Sequence, residues 1–368
     1  MSNQVSSDTQ PTKETQVPRS ICLLRLSAIG DVCHAVAAVQ AIQKRWPQTT
    51  ITWVIGKVEY QLLKGLVGVE FVIFDKRAGL KGYSDLRTQM KGRRFDILLH
   101  MQVALRASLA TLCIKAKQVW GFDRSRAKEA QWLFTNQKIK SQNEPHVADG
   151  FMGFAKAVGV ADEAPLEWNM PIEGPDLDWQ KQQLAPLGKY IVISPAASKA
   201  ERNWLPERYA AFANHANSRG FSVVICGGPT DMEKQLAADI SKNCHFDPVN
   251  LVAKTSLKQL LAVLKQACML LAPDSGPAHM AVTVNTPVIG LYAHSNPQRT
   301  GPYAYLDYVV SCYEDLLQQQ TGQSIQNNRW GKRVKGTNLM QLIETNDVIN
   351  TFDRLVSDFN LLESVARS

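Results

Sequence analysis

Two short segments, one in each half of this 368-residue chain, constrain its fold more than any other feature. The first is Arg25-Leu26-Ser27-Ala28-Ile29-Gly30-Asp31-Val32-Cys33-His34, after the apolar run Ile21-Cys22-Leu23-Leu24. The second is Asp274-Ser275-Gly276-Pro277-Ala278-His279-Met280-Ala281, after Met269-Leu270-Leu271-Ala272. Each reads as strand, tight glycine-containing turn, helix. Such a turn aims backbone N–H groups and the positive end of a helix at one point, which suits a phosphate. With one in each half, the two can face each other across a cleft. One half then holds a donor while the other brings a base to it.

The surrounding pattern supports two α/β halves. Apolar runs at 21–26, 50–55, 71–74, 95–100 and 118–121 alternate with helical patterns such as 36–46 and 83–91. Such alternation argues for a parallel sheet covered by helices. The stretch 162–175 is polar and holds three prolines, so 166–187 reads as a linker. The alternation restarts with strands at 190–194, 221–226, 269–272 and 288–292 and helices at 206–219, 231–241 and 256–268. The expected units are a polar, disordered tail at 1–18, an α/β domain at 19–165, a second at 188–337, and a terminal segment at 338–368. That last segment carries a helix expected to pack back across the domains. The polar stretch 313–338 is expected to be a mobile loop.

Composition narrows the classes. Hydrophobic residues make up 45% of the chain, enough for a core in each half. The formal net charge is +8, which suits an acidic partner or an anionic membrane surface. Seven cysteines without a CxxC pair fit reduced thiols in a cytosolic protein. Residues 1–18 lack the apolar core of a signal peptide. The longest apolar stretch, 97–114, is interrupted by His100, Gln102 and Arg106, so no membrane span is expected. No GxGxxG follows the first strand, which argues against a nicotinamide-dependent oxidoreductase. No nucleic-acid-binding signature accompanies the positive charge. Asp176-Leu177-Asp178 lies in the linker before Trp179 and reads as a helix cap, so no metal is assigned to it.

The paired turns, together with Lys199-Ala200-Glu201-Arg202-Asn203-Trp204-Leu205-Pro206 and Gly227-Gly228-Pro229-Thr230-Asp231, resemble glycosyltransferase family 9, the ADP-heptose:lipopolysaccharide heptosyltransferases. The resemblance runs from about 20 to 310. It implies a GT-B architecture: two Rossmann-like domains with parallel sheets facing a central cleft. It also implies inverting transfer of L-glycero-D-manno-heptose from ADP-heptose, without cofactor or metal, to Kdo-lipid A at the membrane surface. The enzyme is then expected to be a monomer at the cytoplasmic face of the inner membrane, binding no nucleic acid. The opening 25–34 looks more like the first-heptose enzymes, including the type acting on a single phosphorylated Kdo. Transfer to an existing heptose and nucleotide-sugar binding without catalysis remain the alternatives.

The resemblance also distributes roles. Asp31 falls at the family's general base, although its place in the turn also suits a helix cap. Gly30 lets backbone come close to a ligand. His34, three residues on, lies on the same helix face and could orient Asp31 or touch substrate. Asp274, Ser275, Gly276 and His279 form the donor turn. Lys199 and Arg202 would offset charge on the departing diphosphate, with Ser198 as a hydroxyl beside them. Asp231 matches an acidic residue at the nucleoside, where a carboxylate accepts from ribose hydroxyls. Arg77, Lys81, Arg124, Arg126 and Lys128 would recognise the acceptor's carboxylates and phosphates. Because base and donor lie on different domains, closure on binding is expected.

Overall fold

The computed structural model describes residues 17–363. Of the expected tail, residues 1–16 lie outside the described residues, as do 364–368 of the terminal segment.

Twelve strands form two parallel sheets of six. In the first half they are β1 (Ser20–Leu24), β2 (Thr50–Gly56), β3 (Val69–Phe74), β4 (Phe95–His100), β5 (Ala116–Gly121) and β6 (Gln137–Lys138). In the second they are β7 (Tyr190–Ile193), β8 (Ser222–Ile225), β9 (Val249–Asn250), β10 (Leu270–Pro273), β11 (Val288–Tyr292) and β12 (Val309–Ser311). The strand orders are β3-β2-β1-β4-β5-β6 and β12-β11-β10-β7-β8-β9. Read from its own first strand, the second order repeats the first. Both are the doubly wound pattern, in which winding reverses direction beside the first strand and leaves a crevice at the carboxyl ends.

Sequence explains why these strands are central. Ile21, Cys22, Leu23 and Leu24 are fully buried, as are Leu270, Leu271 and Ala272. Strands covered on both faces read as continuous apolar runs and not as alternations. The short edge strands β6, β9 and β12, of two or three residues each, escaped the sequence reading.

Three segments differ from expectation. The linker holds a helix, Gly174–Leu184, with Pro175 in its first turn. The stretch 313–338 is not a loop throughout: Tyr313–Thr321 is helical and buries Tyr313, Leu316 and Leu317. Polar residues fill its outer face, which hides the apolar stripe from a composition reading. The terminal helix spans Thr345–Asp358 and buries Val348, Phe352, Leu355 and Val356. It rests on the helix Pro206–Ser218 and the β11–β12 edge. Its expected packing across the domains is therefore corrected: Asp353, paired with His215 and Arg219, holds it to the second half.

Candidate active site

The chain leaves β1 in a turn fixed from two sides. Gly56 N–H donates to Leu26 O at 3.0 Å, and Leu26 N–H donates to the Gln102 side chain at 2.7 Å. The helix Ile29–Arg45 starts at once, seven residues earlier than its amphipathic stretch suggests. Val32, Cys33, His34 and Ala35 are buried all round, so this first part carries no periodic signal.

Asp31 sits in that first turn, and its carboxylate reaches back to Ala28 N–H at 3.2 Å. The same oxygen, Oδ2, is ion-paired with Arg25. Arg25 is itself fixed, donating to Met101 O at 2.6 Å and lying over the Phe151 ring. Among the described residues Oδ1 has no hydrogen-bond partner, and the side chain is 32% exposed. Asp31 therefore keeps an N-terminal capping contact with one oxygen and leaves the other without a partner among the described residues.

The second turn lies directly opposite. A Cβ on Gly276 would touch Ile29, and one on Gly30 would overlap the His279 ring. Thus Gly30 gives close approach to a residue of the other half, the histidine of the second turn. Asp274 accepts from Ser295 Oγ at 2.6 Å and stands 3.9 Å from both Arg202 and His279. Ser275 is the N-cap residue of Gly276–Val282, but its hydroxyl is buried without a partner among the described residues. Arg202 is buried, and its Nε also lacks a partner. Burial, then repulsion from Arg333, lowers the Arg202 pKa. A buried cation beside a second cation, with a buried hydroxyl unsatisfied nearby, favours an anion between them.

Three histidines meet at the seam. His34 packs edge-on against His279 and His146, at 4.7 and 5.4 Å between ring centres. Burial holds His34 well below its ordinary pKa, and among the described residues neither of its ring nitrogens has a hydrogen-bond partner. His146 Nδ1 accepts from Ala148 N–H at 3.1 Å, so its Nε2 carries the hydrogen bonded to Gly301 O at 2.9 Å. Burial brings the His146 pKa down to about 4.

Other expected site residues are placed differently. Ser198 and Lys199 are exposed, and Lys199 is 3.6 Å from Glu201. Asp231 points to solvent and pairs with Lys234 at 3.2 Å, while Thr230 caps the helix. Glu233 is the carboxylate that folds back onto the glycine loop, accepting from Gly228 N–H at 2.8 Å. Arg77, Lys81, Arg124 and Lys128 are exposed. Arg126 is committed to its own domain, bonding Asp123, Gln142 and Lys140.

Sequence reasoning missed four residues at the site. Arg25 was visible in the motif, but only distance reveals it as the partner of Asp31. His146, Arg299 and Arg333 come from segments without a motif. Arg299 has its pKa lowered chiefly by burial, opposed by Asp31 and reinforced by Arg333.

Comparison with known proteins identifies the family. The family model described as "Glycosyltransferase family 9 (heptosyltransferase)" matches residues 84–328. The chain is 46% identical over 341 residues to the lipopolysaccharide core heptosyltransferase OpsX of Haemophilus influenzae, covering 93% of this chain and 98% of that protein. The glycosyl transferase family 9 structure from Veillonella parvula superposes with a TM-score of 0.76 at 19% identity, over 92% of this chain and 97% of that one. The Escherichia coli heptosyltransferase WaaC with ADP gives 0.69 at 18%, over 91% and 99%. At those identities the structural likeness speaks to the fold, which is GT-B. The chain belongs to glycosyltransferase family 9, the heptosyltransferases.

Proposed function

We propose that the protein moves L-glycero-D-manno-heptose from ADP-heptose to a Kdo sugar of the lipopolysaccharide inner core, with inversion and with Asp31 as general base. The observation that supports this is an Asp31 Oδ1 without a hydrogen-bond partner among the described residues, in a turn that meets the Asp274–Ala281 turn at Gly30 and Ile29. Oδ1 takes the acceptor hydroxyl proton as that oxygen attacks the anomeric carbon. The bond to the diphosphate breaks, and the electron pair leaves with ADP. Arg202 and the Ser275 hydroxyl receive the growing charge. Residues 19–165 take the acceptor and 188–337 the donor, joined by 166–187.

The membrane surface is the proposed workplace. No helix among the described residues is long and apolar enough to cross a membrane. Leu105 and Leu109 on the helix Leu105–Thr111, Leu112 at its C-cap, and Trp132 and Leu133 on the neighbouring turn Gln131–Phe134 are nevertheless exposed. A cavity of about 410 Å³, lined by Ser27, Lys76, Leu105 and Arg106, lies between this face and the Asp31 turn. Leu109→Asp with Leu112→Asp should abolish sedimentation with phosphatidylglycerol-containing vesicles while sparing transfer to a delipidated acceptor. Undiminished sedimentation would remove this face from the reading.

The direct test is transfer from ADP-heptose to lipid-linked Kdo, followed by mass spectrometry. A gain of one heptose, lost in Asp31→Ala, supports the proposal. Heptose added only to a heptosylated acceptor would put the enzyme in the other branch. ADP-heptose binding without transfer to any acceptor would overturn the acceptor assignment.

A further inference from the structure

Tyr303 belongs to the second half, at the start of the turn Tyr303–Tyr308, yet its side chain lies among residues of the first half and of the linker that starts on it. Its ring meets His146 edge-on, with 5.0 Å between ring centres, and Trp168 at 6.4 Å. Its hydroxyl donates to Asp149 Oδ1 at 2.8 Å. Two more hydrogen bonds cross the seam beside it. His146 Nε2–H donates to Gly301 O at 2.9 Å, and the Trp330 indole donates to Pro145 O at 2.9 Å. All three meet the first half within residues 145–149, at the start of the helix Val147–Ala157.

Each side of this contact is built onto one of the two facing turns. On the first side, Phe151 of the helix Val147–Ala157 lies under Arg25, which pairs with Asp31. The Trp168 indole donates to Cys33 O at 2.9 Å, two residues past Asp31. On the second side, Gly301 N–H donates to Pro297 O at 2.7 Å, and a Cβ on Gly301 would overlap that same oxygen. Asn296 caps the helix Pro297–Thr300 and donates to Trp330 O at 3.4 Å. Ser295, beside it, donates to Asp274 at 2.6 Å. Tyr303 and Trp330 are therefore fixed to the Asp274 turn, and the slot of His146, Asp149 and Trp168 is fixed to the Asp31 turn. A hydrogen bond to a carboxylate is stronger than one between neutral groups, so the Tyr303 hydroxyl is the strongest of the three ties.

We propose that Tyr303 is a positioning residue for the transfer: seated in the slot of His146, Asp149 and Trp168, it latches the two halves in the register that brings Asp31 to the Asp274 turn. It acts through the helix Val147–Ala157, Phe151 and Arg25, and not on the reacting atoms. The role of Asp31 rests on the proposed reaction; the latch rests on the three hydrogen bonds. With Tyr303 withdrawn, base and second turn stand apart, so an open cleft that admits water does not spend the donor on hydrolysis.

The test starts from Tyr303→Phe in the full chain, which keeps the ring and removes the hydroxyl. Its kcat/KM for ADP-heptose should fall by about tenfold. Asp149→Ala should match it, and Asp149→Asn, which still offers an oxygen to the hydroxyl, should recover part of the loss. Tyr303→Phe combined with Asp149→Ala should be no worse than either alone, because both remove one interaction. Additive losses would overturn the proposal, as would a lowered Tm with kcat/KM unaltered, the mark of a bond that only stabilises the fold. Should the wild type transfer no heptose, the proposed reaction falls and hydrogen exchange of the free protein tests the latch by itself. The amides of 147–157 should exchange faster in Tyr303→Phe and Asp149→Ala than in wild type, with Asp149→Asn between them. Equal exchange in all four proteins would overturn the latch.

Discussion

Asp31 and Arg25 divide one carboxylate between two tasks. Arg25 and the Ala28 N–H hold Oδ2, and in the proposed reaction Oδ1 is the base. Asp31→Asn keeps the shape and the capping acceptor but removes the base. Its kcat should fall by about 10²–10⁴-fold, with ADP affinity unchanged by calorimetry; a smaller loss would make Asp31 a cap alone. Arg25→Ala should also lower kcat, by freeing the carboxylate to rotate, and Arg25→Lys should recover part of it in the same assay. Full activity in Arg25→Ala would mean that the pair has no positioning role. At this scale the sequence was partly legible. Asp31, Asp274 and Ser275 follow apolar runs at turn spacing, and that can be read directly. Arg126 could not be separated from Lys128 by reading, because only geometry shows that Asp123, Gln142 and Lys140 occupy the first and leave the second open.

The segment around His146 shows what an element adds. His146 is the N-cap of the helix Val147–Ala157 through its unprotonated Nδ1. A cap of this kind is worth about 1 kcal/mol, and protonation removes it. The folded pKa of about 4 lies below the ordinary 6.5, so in between the unfolded chain binds a proton that the folded one does not. Stability is then fully present above about pH 6.5 and declines as pH falls toward about 4, by about 1.4 kcal/mol per pH unit for each such histidine. His100, lowered to about 3 by burial, adds to the same decline. Urea midpoints measured from pH 7 to 4.5 should trace this slope. His146→Asn, which still caps but does not titrate, should flatten it by one proton's worth; an unchanged slope would place the titration elsewhere. Elements with continuous apolar runs, such as β1, β4 and β11, could be read from sequence to within a residue or two. The helix Tyr313–Thr321 could not, because three consecutive glutamines obscure a short buried stripe.

The two halves touch at the seam: Ile29 against Gly276, Gly30 under His279, Tyr303 OH donating to Asp149 at 2.8 Å, and the Trp330–Pro145 hydrogen bond. The linker starts on the first half, with the Trp168 indole donating to Cys33 O at 2.9 Å and Gln40 bonded to Asn169, and then passes to the second, where Glu173 pairs with Lys258 and its helix packs on Leu257–Gln266. A hinge there would open the cleft for ADP-heptose. X-ray scattering should show the free protein to be more extended than this structure and compact again with ADP; equal radii would mean that the seam does not open in the cycle. Two domains and their facing turns were legible because each half repeats one pattern. The closeness of the turns was not, since it depends on a glycine in one half making room for a ring in the other. That fit also governs protein engineering. A hybrid enzyme joining the acceptor half of one relative to the donor half of another would have to inherit position 30 and position 279 as a matched set. A clean splice in the linker would not rescue a hybrid that brought a side chain to the first and kept the histidine at the second.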